Sequence, residues 1–123
     1  MGNQQSNLAG NPYWDLEGAL GRVNQDEKLL REIAGIFLGR MAVILSSIEL
    51  ALQEEASEKL VMPAHTLRGS AGNIAANSTM EIAGRLEGLA EKGEFASIAP
   101  VWEELQQETA HLRQVISSWL ESA

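Results

Sequence analysis

The sequence predicts an all-α protein, an antiparallel up-down four-helix bundle with a short additional N-terminal helix. Three observations carry that expectation. Apolar residues recur at steps of three and four through four long segments, the period of a helix with one buried face. No stretch alternates at period two for long enough to argue a strand. The intervals between the segments are short, which makes consecutive helices antiparallel neighbours.

Residues 1–12, MGNQQSNLAGNP, are polar and rich in Gly and Asn, and read as a tail or linker ahead of a domain over 13–123. A short first helix is expected from Trp14 to Arg22. Asp15 sits near its start, where a carboxylate is favoured, and Gly21 helps to end it. The second helix is the longest, from Gln25 to Leu52, with Leu30, Ile33, Phe37, Met41, Ile44, Ile48 and Leu52 on its buried face. The third is expected from Ser57 to Ala76 along the line Leu60, Ala64, Leu67, Ala71 and Ile74. Pro63 fits only a first turn, so regular helix starts near Met62 or bends there. Ser78-Thr79-Met80-Glu81 has the pattern of a capping box for the fourth helix. Its buried face is Ile82, Leu86 and Leu89, and Lys92-Gly93 stops it. The last helix runs from Ser97 to Leu120 with Pro100 in its first turn, and Ile98, Trp102, Leu105, Thr109, Leu112, Ile116 and Trp119 form its stripe.

Bulk properties remove several functional classes. The 123 residues suit one domain. The net charge is −8 and the nine Lys and Arg are scattered, so the basic stripe of a nucleic-acid binder is missing. Without cysteine there are no disulfides and no Cys-based metal sites, and the two histidines have no ligand-spacing motif beside them, so no metal is expected. No unbroken run of 18 apolar residues and no signal-peptide zones occur, so direct membrane contact is not expected. The setting expected is cytoplasmic, including as the cytoplasmic end of a membrane-anchored protein.

The stretch AHTLRGSAGNI, Ala64 to Ile74, poses a problem, because each glycine inside a helix costs about 1 kcal/mol relative to alanine. On a helical wheel with Leu60 at zero, the apolar line stays within roughly 40°. His65 then falls near ~140°, Arg68 near ~80°, Gly72 near ~120° and Gly69 near ~180°. Both glycines flank the histidine on the exposed side, where side chains would have stood beside the imidazole. A prominent neutral imidazole is a competent nucleophile, and a guanidinium three residues on suits an arriving phosphoryl group. Val61 and Met62 border the same face and read as a hydrophobic docking patch. His111, with no glycine beside it, reads as a surface residue.

AHTLRGSAGNIAA resembles the signature of histidine-containing phosphotransfer (HPt) domains. The pattern is a histidine, a basic residue three later, a glycine next and a small residue near ten later, here His65, Arg68, Gly69 and Ala75. Leu86-Glu87 matches the Leu-Glu of the following helix, and Gln25 to Phe37 resembles the family's second helix. Arg68 replaces the commoner lysine, and Ala75 stands where glycine is common. The resemblance implies a monomeric phosphorelay intermediate. Such a domain takes a phosphoryl group on His65 from a receiver aspartate of a hybrid sensor kinase and passes it to a response-regulator aspartate. It implies Arg68 as charge compensation, and receiver contacts at Val61, Met62, Gly69 and Gly72. No cofactor belongs to the chain itself, and Mg²⁺ comes with the receiver. No ATP-dependent kinase activity is expected, and no Walker A or kinase glycine-rich loop occurs. The alternative is a helical adaptor that binds a partner without chemistry.

Overall fold

The computed structural model describes residues 8–122, which are helical with no strand among them. Five α-helices follow in order: α1 (Leu16–Arg22), α2 (Glu27–Gln53), α3 (Val61–Asn73), α4 (Asn77–Glu91) and α5 (Ile98–Glu121). Single 3₁₀ turns, Ser57–Lys59 and Phe95–Ser97, lead into α3 and α5. The proposed tail lies, for residues 1–7, outside the described residues. Its last part is not free, because Leu8 is buried in the core.

Two helices start on carboxylates. Asp15 accepts from the Gly18 N–H and Asp26 from the Leu29 N–H, each at 3.0 Å, caps worth about 1 kcal/mol apiece. α3 and α5 have no side-chain cap, and their prolines, Pro63 and Pro100, stand third in the helix, where the missing N–H would have had no partner. The capping box does not form. α4 begins at Asn77 with Ala76 as its N-cap, so Ser78 lies inside the first turn, and its Oγ donates to the Pro12 carbonyl at 3.2 Å.

The first four helices end alike. In each, an N–H reaches back five residues to a helix carbonyl: Gln25 to Leu20, Ala56 to Ala51, Ala76 to Ala71 and Glu94 to Leu89. The residue before each donor is left-handed, at Asn24, Glu55, Ala75 and Gly93, with φ of 54°, 53°, 62° and 69°. Gly21 is therefore not the stop of α1, because Asn24 is. α3 likewise ends three residues before the expected Ala76. Glycine suits the position of Ala75 because a Cβ is disfavoured at positive φ.

α3 touches α2 and α4, and α5 touches α2 and α4, so the four long helices form a closed ring of contacts around the core. Arg31, near the start of α2, donates to the Trp119 carbonyl at the end of α5 at 2.9 Å, which fixes those two helices as antiparallel. The buried seam of α2 is Leu30, Ala34, Phe37, Met41, Ile44, Ile48 and Ala51. Ile33 is exposed and Leu52 half-buried, contrary to the expectation, because α2 is apolar on more than one face. Trp102 is only half-buried. Among the described helices α2 alone is long and apolar enough to cross a membrane by length and composition, although no unbroken apolar run marks it. In this fold it packs against α3 and α5.

Candidate histidine site on α3

The backbone of α3 is clamped at its C-terminal end. The last carbonyls of a helix lack intrahelical partners, and here the α1 region supplies them. Trp14 Nε1 donates to Ile74 O at 2.8 Å, the Asp15 N–H to Ala75 O at 3.2 Å, and Arg22 Nη1 to Gly72 O at 2.6 Å. Ala64, Leu67 and Ala71 are buried beneath, small enough at two of three positions to seat the helix deeply. With that face fixed, His65 points outward, its side chain 55% exposed.

α4 brings Glu87 to the ring. Its side chain is only 10% exposed, and His65 Nδ1 lies 2.9 Å from Oε2. An ionised carboxylate only accepts, so the proton of the neutral imidazole belongs on Nδ1 and the lone pair on Nε2. No partner for Nε2 occurs among the described residues. Arg68 Nη2 approaches Nδ1 to 3.4 Å, but two donors face each other there and no true hydrogen bond results. Arg68 instead pairs with Glu87, Nη1 to Oε1 at 3.2 Å, an ion pair without hydrogen-bond alignment, since Oε1 has no hydrogen-bond partner. His65, Arg68 and Glu87 thus form one cluster in which the buried carboxylate faces both cationic-capable groups. Sequence reasoning named the first two and missed the role of the third. The signal was present: Glu87 follows Leu86 on the inward side of an amphipathic helix, where a charged residue needs a partner.

The glycines divide by function. A Cβ on Gly69 would meet nothing within 4 Å, so bare backbone lies open one turn beyond the histidine. Gly72 is different. A Cβ there would come 3.0 Å from Met80 Sδ on α4, so Gly72 is part of the α3–α4 seam and not of the open shelf the wheel placed it on. Gly84 on α4 does the same for the site, because a Cβ there would stand 3.3 Å from Arg68 Cδ. Met62 is exposed and Val61 half-buried at the other end of the face. His111 lies elsewhere, on α5, its ring stacked on Tyr13 at 4.6 Å and its Nδ1–H donating to the Gln107 carbonyl. Beside it, burial pushes the Glu108 carboxyl up, His111 draws it down and Glu104 adds a smaller upward push.

A hydrogen bond to an ionised group is worth roughly 1.5–3 kcal/mol, about 10- to 100-fold in a rate if it holds the reacting form. Glu87→Leu is therefore expected to slow chemistry at His65 by that factor. Glu87→Gln, whose amide oxygen still accepts from Nδ1–H, should recover part of it. Nitrogen-15 shifts of the His65 ring read the tautomer directly, and an unchanged Nδ1–H population in Glu87→Leu would refute the assignment.

The family model described as Hpt domain matches residues 32–115. Among solved structures the fold is similar to histidine-containing phosphotransfer protein B (HptB) from Pseudomonas aeruginosa PAO1. The TM-score is 0.84 at 22% identity, and the match covers 90% of this chain and 96% of that one, a likeness of fold. Among curated proteins, none matches the chain in sequence.

Proposed function

This chain belongs to the Hpt domain family, and from that premise we propose that it carries a phosphoryl group on Nε2 of His65 between the aspartates of two receiver domains. Histidine phosphotransfer in two-component phosphorelays is the general role of the family. The observation that carries the specific reading is the Nδ1–H bond to buried Glu87 at 2.9 Å, which leaves Nε2 as the nucleophile.

The chemistry balances on these groups. The Nε2 lone pair attacks the phosphorus of an aspartyl phosphate, the N–P bond forms, and the P–O bond to the acyl oxygen breaks, releasing the aspartate as carboxylate. The ring keeps its Nδ1 proton and becomes cationic, and Glu87 faces that charge. Attack by the second receiver's carboxylate reverses the process. Transfer of this kind asks for position and electrostatics more than for covalent help from the acceptor. Arg68, half-exposed and paired on one nitrogen only, compensates the phosphoryl charge from the flank. Mg²⁺ is carried by the receiver. Val61, Met62 and Gly69 form the receiver's contact face, with Gly72 setting the spacing to α4. The long helices act as an antiparallel four-helix bundle in a cytoplasmic relay.

The test is incubation with a radiolabelled phospho-receiver and Mg²⁺. Label is expected to move to this chain in an acid-labile, alkali-stable linkage, the behaviour of a phosphoramidate. A chain that binds the receiver and takes no label would be an adaptor, and the relay reading would fall. The open shelf has its own test. A Cβ at position 69 meets nothing within 4 Å, so in Gly69→Leu helicity should be unchanged while transfer falls at least tenfold through lost docking. Normal transfer by that variant would refute the shelf.

A further inference from the structure

α2 carries two apolar seams, and the fold covers one. The uncovered seam is Leu29, Ile36, Val43 and Leu50, spaced seven apart and 41%, 63%, 67% and 55% exposed. A helix drifts only ~20° per heptad, so these four stay within a sector of about 60°. Only 22% of the most apolar 18 residues of α2 is buried, although a helix so apolar is ordinarily covered all round.

The seam is palindromic. Its midpoint falls between Gly39 and Arg40. Reversing the helix about that point sets Leu29 opposite Leu50 and Ile36 opposite Val43, and brings Gly39 and Arg40 of both copies to the axis. Gly35 and Gly39 have open space where side chains would be, so a second helix can approach closely. The same reversal brings Lys28 of one copy beside Glu49 of the other, twice. Both residues are exposed, and neither forms an ion pair among the described residues. A two-fold interface requires one patch complementary to itself; here apolar meets apolar and Lys28 meets Glu49, while the two exposed Arg40 side chains flank the axis and extend into solvent.

We propose that two copies of this chain pair through α2, antiparallel, about a two-fold axis at Gly39 and Arg40. This departs from the monomer expected from the sequence. A receiver has no cause to match the palindrome. An anionic lipid surface is opposed by the net charge of −8 and by Glu32 and Glu49 on the exposed flanks.

Sedimentation velocity at rising concentration should show a mass approaching twice 13.3 kDa. Val43→Glu, at an exposed position, should remain a monomer throughout with unchanged helicity. The chain has no cysteine, so orientation can be read by oxidation. The double variant Ile36→Cys, Val43→Cys should cross-link efficiently. Either single variant should not, because its two thiols lie about 10 Å apart along the axis. A monomer at every concentration, a dimer that survives Val43→Glu, or efficient cross-linking by the single variants would overturn the pairing. A monomeric wild type whose Val43→Glu variant loses receiver binding would give the face to the receiver and equally overturn it.

Discussion

His65→Gln is expected to abolish phosphoryl uptake while leaving the fold unchanged. The loss is total because an amide nitrogen has no lone pair free for attack on phosphorus, and His111 offers no substitute, being stacked on Tyr13 without Glu87 or an open glycine beside it. The fold survives for two reasons. Position 65 is exposed, and the glutamine amide can still donate to Glu87, so the buried carboxylate is not left without a donor. That second reason makes Gln a cleaner test than Leu. Label transfer to background and a urea unfolding free energy within about 1 kcal/mol of wild type are the joint expectation. Wild-type labelling in the variant would remove His65 as the acceptor.

The largest effect on stability is expected at the other end of the molecule. Trp119 is fully buried and meets Trp14 edge-on, ring centroids 5.2 Å apart at 72°. Arg31 lies 4.3 Å over its ring and also binds its carbonyl. Trp119→Ala removes the packing of α5 on α2, the aromatic pair and the cation contact together. Substitutions of this kind cost about 3–5 kcal/mol, a large share of the ~5–15 kcal/mol that holds a domain folded. Because Trp14 also donates to the Ile74 carbonyl, the loss extends to the clamp on α3. Urea unfolding followed by circular dichroism measures it, and a loss below about 1 kcal/mol would show that the aromatic pair is not central to the core.

The helices were legible where one face alone is apolar. The line Leu60 to Ile74 predicted the buried side of α3 because, from His65 onward, its other side is polar or glycine. α2 misled because apolar residues fill adjoining positions, so Ile33 and Leu52 were drawn into the core and Ala34 and Ala51 left out. Helix ends were legible only where the residue type matches the backbone. Gly93 announces its left-handed turn, whereas Glu55 and Ala75 adopt the same conformation against their preference. The capping box failed because its serine finds a partner in the Pro12 carbonyl, a tertiary choice that local pattern does not contain. The histidine, the arginine and the open Gly69 could be placed from the period of one helix. Glu87 carried a signal, a charge on the inward side of an amphipathic helix, but the group it faces is set only when α4 lies against α3.

That last contact has a consequence for the loaded and empty forms. A phosphorylated ring is a cation, and its Nδ1–H becomes a stronger donor to a carboxylate that is rooted in the neighbouring helix. Cargo on the outer nitrogen therefore tightens the seam behind it. Amide protons around Glu87 should exchange with deuterium more slowly in the charged carrier than in the discharged one, so occupancy would be felt in the helix behind the loaded ring.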